Sequence, residues 1–257
     1  MIDNEDCVEI DVTRLVVRKR GAGKPLLILH DELGFPGWMQ WNDVLGESRE
    51  QIVPLQPGFG HSEHLDWLRD YRDLAAYYAR FVRQLGAPVD VIGFSAGGYL
   101  AAEMAAIDPG LFDKIALVGP LGVRPAHGEI YDFLAVTART HVAATVSKQD
   151  APEFSKIYGG KMGPEQFMLF EAARAETSRL GWQPFMFDPS LPALLKGVTN
   201  ETLIIRGTDD LICPLGCVEA YESALPNATI SSIEGVGHRP EIEDPDAFIR
   251  LVRNFLS

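Results

Sequence analysis

The sequence predicts an α/β fold, a mostly parallel central sheet flanked by helices, with an inserted helical cap. Three observations point to it. Short runs rich in Val, Ile and Leu alternate with longer stretches of helical spacing; the alternation breaks once in mid-chain; and it then resumes with the same rhythm. Parallel strands need crossovers long enough to hold a helix, so this rhythm implies a sheet covered on both faces.

Residues 15–17 and 25–29 read as strands, followed by a helix around 38–45 and a strand at 51–55. Across 71–85, apolar residues fall at Leu74, Tyr77, Tyr78, Phe81, Val82 and Leu85, the spacing of one helical face. Gly86-Ala87-Pro88 breaks that helix and leads into a strand at 89–92, after which 96–106 is helical again. Further strands are expected at 114–118, 202–205 and 229–233, and 245–256 has the pattern of a closing amphipathic helix. Between about 122 and 195, helical patterns such as 131–142 and 164–180 follow one another without a strand. The expected division is therefore a core of residues 1–121 and 196–257 interrupted by a cap at 122–195. No repeat of 20 to 50 residues is visible.

A composition of 46% apolar and 23% charged residues is that of a folded globular chain. The net charge of -13 is spread without a basic block, which argues against nucleic acid and against anionic membrane surfaces as partners. Residues 1–9 hold four acidic residues and no apolar run, and no stretch reaches the ~18 apolar residues of a spanning helix, so a cytoplasmic location is expected. Cys7, Cys213 and Cys217 are an odd number with no neighbouring histidine or second cysteine pair, and they read as reduced thiols.

The strand at 89–92 runs into Gly93-Phe94-Ser95-Ala96-Gly97-Gly98 and then into a helix. A nucleophile in so sharp a turn has a strained backbone, and small residues two before and two after it avoid collision. Ser95 is the nucleophile candidate. The N–H of Ala96, at a helix start, suits negative charge developing on a substrate oxygen. Two later strand ends offer partners: Gly207-Thr208-Asp209-Asp210 with two competing carboxylates, and Gly235-Val236-Gly237-His238 with the only histidine in the last ninety residues. A serine, a carboxylate and a histidine in that chain order suit acyl transfer with His238 as base.

These motifs resemble the α/β-hydrolase superfamily over essentially the whole chain. Its Gly-x-x-Asp-x-x-x-Pro pattern is matched from Gly207 to Pro214, which selects Asp210 over Asp209 as the residue orienting His238, and its Gly-His-x-Pro-x-x-Glu-x-Pro pattern is matched from Gly237 to Pro245. The resemblance also implies an oxyanion loop after the strand at 25–29, here His30-Asp31-Glu32-Leu33-Gly34, with the Glu32 N–H as second donor. Asp31 stands where many relatives have glycine. Two carboxylates beside an oxyanion would oppose it, so both side chains are expected to point away. Gln56-Pro57-Gly58-Phe59-Gly60-His61-Ser62 resembles a structural turn of the family.

His30, His61, His64, His127 and His141 are expected to be surface or structural residues, with His30 structural within the oxyanion loop. No metal-ligand spacing occurs among them, and no cofactor is expected. Phe133, Phe167, Met168, Phe170, Trp182, Phe185, Met186 and Phe187 are candidates for an apolar acyl pocket, or for the core of the cap. The expectation is a carboxylesterase acting on small hydrophobic esters through an acyl-enzyme. Hydrolysis of a carbon–carbon bond in ring-cleavage products is the alternative on the same core, and a non-catalytic small-molecule receptor is the alternative of another class.

Overall fold

The computed structural model describes residues 4–10, 13–158 and 163–257. Its strands are β1 (Asn4–Ile10), β2 (Thr13–Arg20), β3 (Lys24–Leu29), β4 (Arg49–Pro54), β5 (Val89–Phe94), β6 (Phe112–Val118), β7 (Glu201–Gly207) and β8 (Ala228–Ile233). Its helices are α1 (Gln40–Leu45), α2 (Tyr71–Gln84), α3 (Ala96–Ile107), α4 (Ala138–Ala144), α5 (Pro152–Tyr158), α6 (Pro164–Gly181), α7 (Leu191–Leu195), α8 (Leu215–Ala224), α9 (Pro240–Glu243) and α10 (Pro245–Leu256). The eight strands form one sheet in the order β1-β2-β4-β3-β5-β6-β7-β8. Only β2 runs against its neighbours; the remaining pairs are parallel.

Side-chain alternation explains why both faces are covered. In β3, Leu27 and Leu29 enter the apolar cluster of α2, α3 and α8, while Leu26 and Ile28 enter the cluster of α1 and α10. The same split recurs in β6, with Ile115 and Leu117 on the first face and Ala116 and Val118 on the second. Between β6 and β7 the described residues hold α4 to α7 and no strand of the sheet. Within that segment α7 packs Leu191 and Leu195 into the first cluster, and α4 and α6 bring Val142 and Phe170 to the second. No helix among the described residues is long and apolar enough to cross a membrane. All three cysteines are free, and the buried thiols of Cys213 and Cys217 lie 3.2 Å from the Pro120 carbonyl and 3.3 Å from that of Val123.

Two elements differ from the sequence expectation. β1 is a strand despite its acidic run, because its register sets Glu9 opposite Arg14 and brings Asp6 within 3.6 Å of Lys19. Opposite charges across two strands supply what β propensity lacks here. The helix expected at 131–142 begins only at Ala138: Asp132 takes the N–H groups of Leu134 and Ala135 into a turn, and Thr137 caps α4 through the Thr140 N–H.

At the start of β5, the Asp90 carboxylate is fully buried and ties four strands together. It accepts from Lys24 at 3.0 Å, from the Lys114 N–H at 3.3 Å and from Arg49. Removing one member of a buried charged set strands the others without compensation. Asp90→Ala is therefore expected to lower unfolding free energy by about 3 to 5 kcal/mol, read from urea denaturation.

Candidate active site

Ser95 follows β5, whose six residues are all buried, and opens α3. Its backbone sits at φ 49° and ψ -112°, a region costly for any residue with a Cβ. Hydrogen bonds hold it there: the Ser95 N–H donates to Val118 at 2.9 Å, and its carbonyl accepts from Gly98 at 3.0 Å and Leu121 at 3.2 Å. The flanking glycines are required by contact. A Cβ on Gly97 would lie 2.2 Å from the Leu29 carbonyl oxygen, and one on Gly93 would lie 2.5 Å from that of Gly97.

Across the ends of the next strands, His238 Nδ1 lies 2.8 Å from Asp210 Oδ2, with both side chains buried. The other oxygen, Asp210 Oδ1, accepts the N–H groups of Ile212 at 2.8 Å and Cys213 at 2.9 Å, so the carboxylate cannot turn. Asp209 is exposed. Burial alone would lower the His238 pKa, but the charge and hydrogen bond of Asp210, with the charge of Glu32, raise it above the ordinary imidazole value. Gly207 lets the histidine loop approach β7, since a Cβ there would fall 2.1 Å from the Gly237 carbonyl oxygen. Glu243 holds the same loop through the Gly237 N–H at 2.6 Å, which gives the glutamate of the Gly-His-x-Pro-x-x-Glu pattern a physical task.

The oxyanion loop is held by His30. Its Nε2 accepts the Gln56 N–H at 3.0 Å, so the ring proton sits on Nδ1 and is donated to the Asp31 carbonyl at 2.8 Å. Burial keeps this ring neutral by lowering its pKa. In a trans peptide the carbonyl and the following N–H point oppositely, so this bond turns the Glu32 N–H away from His30. Neither the Glu32 nor the Ala96 N–H donates to a backbone acceptor among the described residues, the condition required of oxyanion donors.

The two carboxylates of this loop separate. Asp31 points away as expected: it binds its own loop through the Leu33 N–H at 2.9 Å and pairs with Arg239, which also binds Glu241. Glu32 does not point away, which corrects the expectation. Its carboxylate is buried with Oε1 2.8 Å from His141 Nε2, a close contact without hydrogen-bond alignment. Burial alone would raise its pKa, but His141, His238 and the nearby Ser95 hydroxyl hold it below the ordinary carboxylate range. Asp31 is paired with Arg239, while the Glu32 carboxylate meets His141 of α4.

His141 is thus one of the residues that sequence reasoning left unconnected. It is fully buried, 4.9 Å from the Phe133 ring and 6.3 Å from that of Tyr131. Gly119 is another: at φ 51°, a Cβ on it would meet the His238 ring at 2.7 Å and Asp210 Oδ2 at 3.2 Å. Its only sequence signal is a glycine directly after a strand. The aromatic and methionine candidates divide, with Phe133 and Met186 in the core and Met168 and Trp182 exposed.

A model of the alpha/beta hydrolase family matches residues 26–251. The chain belongs to this family. The 2-hydroxymuconate semialdehyde hydrolase of Pseudomonas sp. strain CF600 is 28% identical over 254 residues, covering 92% of this chain and 88% of that one. Among solved structures, a bacterial membrane phospholipase A superposes with a TM-score of 0.84 at 22% identity, covering 99% of this chain and 86% of that one. The 2-hydroxy-6-oxo-6-phenylhexa-2,4-dienoate hydrolase of Rhodococcus sp. strain RHA1 does so with a TM-score of 0.81 at 19% identity, covering 99% of each chain. At these identities the two structures share the fold.

Two predictions follow from the geometry around His238. Its imidazole should titrate above the ordinary value of about 6.5, and Asp210→Asn, by removing the charge that stabilises the cation, should move that titration to lower pH in an NMR measurement. Gly119→Ala should push His238 off Asp210 and reduce turnover by ~10²-fold or more, while the melting temperature falls by only a few degrees, as checked on an activated ester and by thermal unfolding.

Proposed function

We propose that the chain is a serine hydrolase that cleaves the carbon–carbon bond beside a ketone in vinylogous diketones, the class formed by aromatic ring cleavage. The observation that carries the hydrolase reading is a strained Ser95 whose hydroxyl makes no aligned hydrogen bond, at the same sheet edge as a His238 Nε2 equally unpartnered among the described residues. In this reading His238 takes the Ser95 proton as Oγ attacks the ketone carbon. Asp210 holds the ring and stabilises its cation. The N–H groups of Ala96 and Glu32 receive the oxyanion. Water then opens the acyl-enzyme by the same sequence, with His238 returning a proton to Ser95.

Two things favour the carbon–carbon bond over an ester. The relative that aligns over 92% of this chain acts on 2-hydroxymuconate semialdehyde, a compound with no ester or amide to hydrolyse. The surroundings of Ser95 also include a polar group, the buried Glu32 carboxylate, which in turn meets His141. Ester hydrolysis uses the same nucleophile and is expected for small activated esters.

The test is a substrate panel. Wild type should hydrolyse a vinylogous diketone more efficiently, in kcat/KM, than p-nitrophenyl esters of increasing acyl length, and a fluorophosphonate should label Ser95. Ser95→Ala should lose all turnover and labelling while keeping its fold. Turnover that survived in that variant would overturn the reading, and a folded wild type that neither labels nor turns over would favour a small-molecule receptor.

A further inference from the structure

The triad accounts for one histidine and one carboxylate, yet a second such pair lies buried beside the nucleophile. Glu32 comes from the oxyanion loop and His141 from α4, their side chains are 1% and 0% exposed, and Oε1 and Nε2 are 2.8 Å apart. Both Glu32 oxygens and both His141 nitrogens lack an aligned hydrogen bond, which is costly in a buried position unless another polar group engages them during function. The carboxylate also lies close enough to the Ser95 hydroxyl and to His238 to be stabilised by both. The backbone fixes it from behind, since the Glu32 carbonyl accepts the Thr177 hydroxyl of α6 at 3.2 Å.

Breaking a carbon–carbon bond makes a demand that breaking an ester does not. An alkoxide or phenoxide leaves as a stable anion or takes the proton His238 already holds. A departing carbon needs a proton of its own, delivered to the carbon that was bonded to the ketone. We infer that His141, positioned by Glu32, is the catalytic acid that protonates the departing carbon fragment, and that this second pair directs the site toward carbon leaving groups. The inference rests on the carbon–carbon reading proposed above.

The protons balance. Ser95 Oγ bonds to the ketone carbon as its proton passes to His238. The carbon–carbon bond then breaks, its electron pair moves onto the departing conjugated fragment, and that fragment takes the proton held between His141 and Glu32. The proton on His238 is released to the water that enters the site, and His141 recovers one from the same source. His238, neutral again, takes a proton from the water that adds to the acyl-enzyme and gives it to Ser95 Oγ as the acid product leaves.

The experiment compares a vinylogous diketone with p-nitrophenyl acetate, whose leaving group departs as the phenolate and needs no second acid. Glu32→Gln keeps the side-chain shape, and His141→Gln keeps a polar side chain without an ionisable proton. Each is expected to lower the ratio of diketone kcat to ester kcat by ~10²-fold or more, the usual contribution of a positioned acid. Fluorophosphonate labelling at Ser95 and circular dichroism report that the site and fold persist, and if His141→Gln fails to fold, Glu32→Gln decides. An unchanged ratio in a folded, labelled variant would overturn the inference while leaving the carbon–carbon reading standing. A wild type that cleaves the ester and not the diketone would overturn both.

Discussion

A serine held at φ 49° between a buried strand and a buried helix constrains everything around it. The turn brings the first residues of α3 against the end of β3, and only hydrogen is tolerated where the Gly97 side chain would be. That close approach sets Ala96 at the helix start beside the oxyanion loop and directs the serine hydroxyl out of the sheet. The strain persists because neighbouring strand ends over-determine it: the Ser95 N–H binds Val118 of β6, and the Gly119 N–H binds Ile205 of β7. The same run of β6 into Gly119 then forms the floor on which His238 and Asp210 rest. One strained residue and its supports therefore position Ser95, the Ala96 N–H and His238, the groups proposed as nucleophile, oxyanion donor and base.

Buried charge is handled by pairing. Asp31, Glu32, Arg239 and Glu241 are each at most 3% exposed, and an isolated ion there would cost several kcal/mol. Asp31 and Glu241 share Arg239, the residue after His238, so the oxyanion loop and the histidine loop are locked to each other by charge. Among the described residues no lysine or arginine is paired with Glu32. Its carboxylate meets the His141 ring instead, from α4.

The parts that were readable from sequence are those written locally. Ser95 announces itself because the glycines that make its turn possible stand two residues to either side, and the resemblance to the family's Gly-x-x-Asp-x-x-x-Pro pattern, itself confined to one loop, selects Asp210 over Asp209. The alternation of strand and helix is legible for the same reason, since hydrophobic period is a local property. What was not legible depends on distant residues. β1 is a strand because of the basic residues facing it on β2, Gly119 matters because of a ring 119 residues later in the chain, and the Glu32 side chain meets a histidine of α4. The spacing of His141 on α4 carries no trace of Glu32, 109 residues away.

The segment from His141 to Lys148 ties these observations together. Over eight residues His141 contacts Glu32, Thr145 accepts the Arg239 N–H at 3.1 Å, and Ser147 and Lys148 give their N–H groups to Glu243 at 3.0 and 2.9 Å. Glu243 in turn holds Gly237, the residue before His238. The end of α4 thus grips both the oxyanion loop and the histidine loop, the two parts of the site that arise from opposite ends of the chain. A shift of α4 would move His141 relative to Glu32 and disturb the anchoring of His238 together. For this reason the segment from α4 to Lys148 is a structural neighbour of both loops, joined to them by hydrogen bonds and by a buried contact.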